Sequence, residues 1–283
     1  MDRPRVAPAG DLVRLALVES GLLVSLLQIT GVVVLGFPVL MYFAQDSLIF
    51  YPQPLAEARR AAIAQGPSRE SVFIDAPDGT RLHAWHAKSA SGTKLVMYFG
   101  GNAEEVSWML DDAARRTPEV SWLLVDYRGY GASGGSPSEK ALVADALTWY
   151  DKISPQYKTV YAFGRSLGSG VAVQLAAQRP IAGVMLVAPF DSLVEVAKHY
   201  YPFLPVNWML RHRFDSVALA PKMTAPLLCV VATRDEIIPA VHSKRLYDAW
   251  AGPKRWIGLE GAGHNSTDNA ANYWSSISEF LKN

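Results

Sequence analysis

The chain has 283 residues, half of them hydrophobic and 19% charged. That is long enough for one large α/β domain with a substantial core, and too apolar for a disordered chain. Its 27 basic and 26 acidic residues are interspersed and leave a formal net charge of +1; with no basic stripe, zinc-finger spacing or RNA-binding signature, nucleic acid is excluded as a partner.

From Leu22 to Ala44 the chain reads LLVSLLQITGVVVLGFPVLMYFA, 23 residues without a charge. As a helix this run would be about 35 Å long, enough to cross a hydrocarbon core of about 30 Å. The rival reading is a secretory signal peptide, whose apolar core spans only about 7–15 residues before a small-residue cleavage site. Here the run is longer and ends in MYFAQD. Residues 1–47 are therefore expected to form an N-terminal transmembrane anchor, with Tyr42, Phe43, Phe50 and Tyr51 as an interfacial aromatic belt and a kink or early end at Pro38. Arg3, Arg5 and Arg14 precede the span, and the first basic residues after it are Arg59 and Arg60. The positive-inside tendency places the N-terminus in the cytoplasm and the body of a single-pass protein on the opposite side.

Residues 48–283 alternate short β-rich runs with helical ones. SVFIDAP and RLHAWHAK flank the turn signal DGT and read as an antiparallel hairpin. KLVMYF, VSWLLVD, TVYAFG, IAGVMLVA, PLLCVVA and RWIGLE follow as near-continuous apolar strands, the pattern of a sheet covered on both faces. Cys229, the lone cysteine, lies in one of them and reads as a buried small hydrophobe; it excludes an intrachain disulfide and CxxC redox chemistry. Between the strands, residues 103–116, 138–153, 167–178, 240–250 and 269–281 have helical character, with Ser138 placed as an N-cap. The expected architecture is a mostly parallel eight-stranded sheet between layers of helices. The segment at about 190–222, crowded with aromatics and prolines, is too long for a simple crossover. It is expected to be a short lid over the carboxyl ends of the strands, with a two-helix crossover as the alternative.

Ligands of such sheets gather at the carboxyl ends of the strands. Ser166 follows TVYAFG, Asp235 follows PLLCVVATR, and His264 follows RWIGLEGAG. In GRSLGSG, Gly164 and Gly168 leave room for a sharp strand-to-helix turn, and Gly170 is expected to let the new helix lie against the strand. A serine at such a turn is exposed as a nucleophile but needs a base. His264 is the candidate base and Asp235 the acid that orients it, with Asp191 and Glu236 as alternative acids. The backbone N–H groups of Leu167 and of Asn102, in FGGNAEE, would receive the developing oxyanion. His83, His86, His199, His212 and His242 read as surface, strand or lid residues. DYRGYGASGGSPSE lacks the ending of a phosphate loop and reads as a loop packed beside the site. No cluster has metal-ligand spacing, so neither metal nor other cofactor is expected.

Taken together, SLIFYP, GGNAEE, DYRGYGASGGSPSE, GRSLGSG, RDEIIPAVHSKRLYDA and GAGHN resemble the α/β-hydrolase superfamily over nearly all of residues 48–283. The nearer likeness is to a membrane-anchored subgroup that includes lysophosphatidylserine lipases and protein depalmitoylases. One departure is Gly100, where many relatives carry histidine. The resemblance implies a serine hydrolase with Ser166 as nucleophile, Asp235 as acid and His264 as base. The function expected is hydrolysis of carboxylic or thio esters, lipid acyl esters among them, by an enzyme held at a membrane through its N-terminal helix. A peptidase or amidase on the same fold and a non-catalytic membrane scaffold are the alternatives. No motif bears on oligomeric state.

Overall fold

The structure is a computed structural model describing residues 9–66, 68–90 and 92–282, so Arg3 and Arg5, on which the expected orientation rests, lie outside the described residues. The chain divides into two compact units, Met1–Gln45 and Asp46–Asn283. The first is the bulk of helix α1 (Ala9–Ile49), which Pro38 does not end. Its stretch from Ser20 is long and apolar enough to cross a membrane by length and composition.

The second unit carries the sheet. Strands β1 (Arg69–Asp75) and β2 (Arg81–Ala87) form the expected hairpin. Gly79, at φ +80°, closes its turn by donating its N–H to Ala76 O, a conformation that glycine adopts at least cost. β3 (Lys94–Phe99), β4 (Val120–Val125), β5 (Thr159–Arg165), β6 (Gly183–Val187), β7 (Leu227–Ala232) and β8 (Lys254–Leu259) complete the order β1-β2-β4-β3-β5-β6-β7-β8. Only β2 runs against its neighbours.

Both faces of this sheet are covered, as the continuous apolar runs require. Leu95, Met97 and Phe99 of β3 join one core while Val96 and Tyr98 join the other; β7 divides the same way, with Cys229 fully buried in the first. Burial pushes the Cys229 thiol pKa far up, which fits the inert role expected of it.

The helices that cover the second unit are α2 (Glu57–Ala64), α3 (Met109–Arg116), α4 (Glu139–Ile153), α5 (Leu167–Ala176), α6 (Leu193–Tyr200), α7 (Val206–Met209), α8 (Ser216–Leu219), α9 (Ala240–Ala249) and α10 (Tyr273–Lys282). α4 starts where expected, with Ser138 Oγ accepting the Ala141 N–H at 3.1 Å. α3 starts later than its sequence suggests. Glu104 turns back to accept the Gly101 N–H and Glu105 accepts the Ser107 N–H, so both side chains serve a loop in place of the first helical turn.

One further expectation is corrected. Phe50 is not part of an interfacial belt: it is 2% exposed and packs edge-on against His212. The region about 190–222 is three short helices, α6 to α8, and its Phe214 is fully buried. His212 and Arg211 of this region both donate to Asp46, in the last turn of α1, at 2.8 Å.

His86 on β2 is held neutral by burial. Its ring nitrogen hydrogen-bonds to the Tyr157 hydroxyl at 2.6 Å, and desolvation lowers its pKa to about 4. The unfolded chain protonates this histidine below about pH 6.5, whereas the folded chain resists until about pH 4. Its contribution to stability is thus complete above the unfolded pKa and is lost as pH falls across that window. Thermal unfolding between pH 7 and pH 5 should show a smaller fall in Tm for His86→Gln than for the wild type.

Candidate active site

One residue separates the end of β5 from the start of α5. Ser166 sits at φ +51° and ψ −118° between β5 and the first residue of α5, and its N–H donates to Val187 O at 2.9 Å. That backbone region is costly for a residue with a side chain. Nothing larger than hydrogen fits around it. A β-carbon on Gly164 would lie 2.2 Å from Gly168 O, and one on Gly168 would lie 2.0 Å from Phe99 O of β3. Gly170 has a different neighbour from the one expected: its missing side chain admits the Phe214 ring, with a built β-carbon 2.7 Å from Phe214 Cδ1.

Three of the residues singled out in the sequence meet at this turn. His264 Nε2 is 2.9 Å from Ser166 Oγ, and His264 Nδ1 is 2.8 and 3.0 Å from the two Asp235 oxygens. A carboxylate only accepts, so Nδ1 carries the proton and Nε2 accepts the Ser166 hydroxyl. Asp235 is itself fixed, because its Oδ1 accepts the N–H groups of Ile237 and Ile238 at 2.9 and 2.7 Å. The two alternative acids are engaged elsewhere. Asp191 accepts from His242 and Arg245, and Glu236 accepts the backbone N–H of His264 rather than its ring. His242, expected at the surface, in a strand or in the lid, is a buried residue of α9 because of that pairing with Asp191.

The two expected oxyanion donors, Asn102 and Leu167, border the same cavity as Ser166 and His264, about 600 Å³ in volume. The Asn102 loop is anchored on three sides. Tyr127 donates its hydroxyl to Gly100 O at 2.9 Å, Tyr130 donates to Asn102 O, and Glu104 accepts the Gly101 N–H at 2.7 Å. Burial raises the pKa of both tyrosines, Tyr130 to about 12, so their hydroxyls remain donors at neutral pH. These tyrosines come from DYRGYGASGGSPSE, the glycine-rich loop read as a neighbour of the site. At Gly100 the space a side chain would need is taken by Val106 and Glu104. The far wall of the cavity is apolar, formed among others by Leu48, Ile49, Phe190, Leu193, Val196 and Ile238.

A second serine–histidine–aspartate chain lies elsewhere in the sheet and has no counterpart in the sequence reading. His83 donates Nδ1–H to Asp126 Oδ2 at 2.6 Å, and its Nε2 is 2.9 Å from Ser71 Oγ. His83 and Asp126 are buried, and Ser71 lies within β1 under an Arg60 side chain that donates to its Oγ. Ser71 itself lies within a strand and not at a tight turn, and none of the described cavities adjoins the group. It ties β1, β2 and the end of β4 together.

Comparison with known proteins places this geometry in a wider setting. The family model described as serine aminopeptidase, S33 (Hydrolase_4) matches residues 91–219. The uncharacterized protein Rv2307c of Mycobacterium tuberculosis is 36% identical over 247 residues, covering 85% of this chain and 87% of that one. The alpha/beta hydrolase domain-containing protein WAV2 of Arabidopsis thaliana is 27% identical over 248 residues, covering 77% and 79%. Among solved structures, the Pyrococcus furiosus esterase Pf2001 matches with a TM-score of 0.63 at 16% identity, over 83% of this chain and 97% of that one. At that identity the likeness is one of fold.

The contact of α5 with β3 is unforgiving at Gly168, whereas at Gly134, in the loop before α4, a β-carbon meets nothing closer than 3.6 Å. Gly168→Ala should destabilise the protein by about 3 kcal/mol or more, a fall in Tm on the order of 10 °C, whereas Gly134→Ala should stay within about 0.5 kcal/mol. Thermal melts of the two variants compared with the wild type check this.

Proposed function

The chain belongs to the α/β-hydrolase superfamily, and on that footing we propose that it is a serine hydrolase of carboxylic or thio esters, with Ser166 as nucleophile, His264 as base and Asp235 as the acid that orients it. The single observation that carries this reading is the 2.9 Å approach of His264 Nε2 to a serine held at positive φ on the floor of a cavity.

In the first half of the reaction, Ser166 Oγ attacks the acyl carbon as its proton passes to His264 Nε2. Negative charge gathers on the carbonyl oxygen, where the N–H groups of Asn102 and Leu167 stabilise it. The α5 amino terminus adds its positive dipole end. The alcohol or thiol then leaves with the proton from His264. Water enters, loses a proton to the same nitrogen and attacks the acyl-enzyme, and Ser166 recovers its proton as the acid departs. Asp235 keeps Nδ1 protonated and stabilises the imidazolium that forms twice per cycle.

The cavity supports an acyl group over a peptide amine. Its apolar wall suits a hydrocarbon chain. An aminopeptidase needs a free carboxylate for the substrate's ammonium group, and among the described lining residues the one carboxylate is Glu104, already engaged by Arg165 and the Gly101 N–H. A non-catalytic scaffold would have no use for a strained serine turn. Residues from Leu193 to Leu219 act as the lid over the acyl chain. The apolar stretch of α1 anchors the protein in one pass, with the N-terminus cytoplasmic and the hydrolase domain across the membrane, beside a supply of lipid acyl esters.

Ser166→Ala should lower ester turnover at least about 1,000-fold while leaving Tm within a few degrees, and Asp235→Asn should lower it by a comparable factor. Hydrolysis of short- and long-chain acyl esters by the membrane-bound protein measures this. Undiminished turnover in Ser166→Ala would end the proposal.

A further inference from the structure

Arg165 immediately precedes the nucleophile, yet its side chain makes no contact with the serine hydroxyl. It reaches in two directions. Nη1 donates to Glu104 Oε2 at 3.0 Å, in the loop that carries Asn102. Nη2 donates to the backbone carbonyl of His264 at 3.1 Å and to Asn265 Oδ1 at 3.2 Å, in the loop that carries the base. Glu104 is fully engaged as well. Its Oε2 also accepts the Gly101 N–H at 2.7 Å, and its Oε1 accepts from the Tyr98 hydroxyl at 2.5 Å and from Trp108 Nε1 at 2.9 Å.

The pair is nearly enclosed, with 14% of the Arg165 side chain and 8% of the Glu104 side chain exposed. Burial is the largest single influence and works against the guanidinium charge, but Glu104 together with Tyr98 and Tyr273 outweighs it and the Arg165 pKa is raised. A buried ion pair contributes little net stability compared with apolar residues of similar volume. What it does supply is direction: a planar fork of donors meets a planar acceptor at fixed angles. Here those directions run from the nucleophile strand to the two loops on which oxyanion binding and proton transfer depend.

We propose that the Glu104–Arg165 pair is a positioning device that holds the Asn102 loop and the His264 loop in register on either side of Ser166. The inference rests on the serine-hydrolase reading of the site and goes beyond it, since neither residue touches the reacting atoms. It assigns Arg165, the variable residue of the Gly-x-Ser-x-Gly turn, a part in both half-reactions.

Lysine at position 165 keeps the charge but cannot bridge both loops, and glutamine at 104 keeps the shape but loses the charge. Displacement of either loop by about 1 Å costs on the order of 100-fold in rate. Arg165→Lys and Glu104→Gln should each lower kcat about 10- to 100-fold with KM within about threefold of wild type. The two together should cost no more than the worse single change, because both break one link. The rate of inactivation by a fluorophosphonate, whose phosphoryl oxygen needs the same donors, should fall in parallel.

The doubly apolar Glu104→Met/Arg165→Met protein leaves no unpaired charge, so it should melt above either single Met variant and still show the loss in kcat in its folded fraction. The inference is overturned if the folded variants retain wild-type kcat and inactivation rate, or if kcat falls only as the folded fraction does. Ser166→Ala separates the two readings. If that variant is inactive while the position-104 and position-165 variants behave as wild type, the brace alone fails. If it remains active, the hydrolase reading fails and the brace with it.

Discussion

The contact between the start of α5 and the end of β3 governs the site. With Phe99 O only 2.0 Å from where a Gly168 β-carbon would lie, the helix comes as near the strand as backbone allows. The chain leaving β5 therefore has a single residue in which to reverse, and Ser166 takes up the strain at φ +51°. Strain of this kind costs on the order of 1–3 kcal/mol and persists only where packing over-determines it. Here the packing is the fully buried first half of α5 and the Phe214 ring against Gly170. The fold thus spends core packing to hold one hydroxyl at a cavity floor.

The two serine–histidine–aspartate chains show why that constraint matters more than the hydrogen bonds. Ser71, His83 and Asp126 match Ser166, His264 and Asp235 closely in distance. Ser71, however, lies in the middle of a regular strand, paired across to Trp85, and its oxygen already accepts from Arg60. No described cavity opens beside it. A serine–imidazole contact exists in both places, but of the two serines Ser166 is the one that borders a described cavity, with Asn102 and Leu167 in its lining. Hydrogen-bonded geometry is therefore shared by a structural tie and a candidate active site, and the turn distinguishes them.

This difference also sets what is legible in the sequence. Strands betray themselves by apolar runs, and strand-end loops by glycine, so Ser166, Asp235 and His264 could each be picked out locally and then ordered along the chain. Asn102 and Leu167 follow from the same local grammar. Pairings between distant, ordinary segments leave no such mark. Nothing near His83 announces Asp126, 43 residues later. Nothing near His242 announces Asp191, and the apolar character of Phe50 fits a membrane belt as well as a core. The role of Glu104 was hidden by its helix-like surroundings, because the residues that recruit it, Gly101 and Arg165, are recognisable only once the loop is folded.

Charge balance completes the picture. An unpaired guanidinium beside Ser166 would leave a bare positive charge in a nearly enclosed site. Glu104 pairs with that charge at 3.0 Å and leaves the Arg165 hydrogen bonds to the His264 loop in place. Beside Ser166 then stand the Asp235–His264 pair and the α5 amino terminus, the groups that the proposed acyl transfer would use. Arg165 can therefore sit next to Ser166 in the chain because Glu104, in the lining of the same cavity, neutralises its charge, while its hydrogen bonds reach both loops.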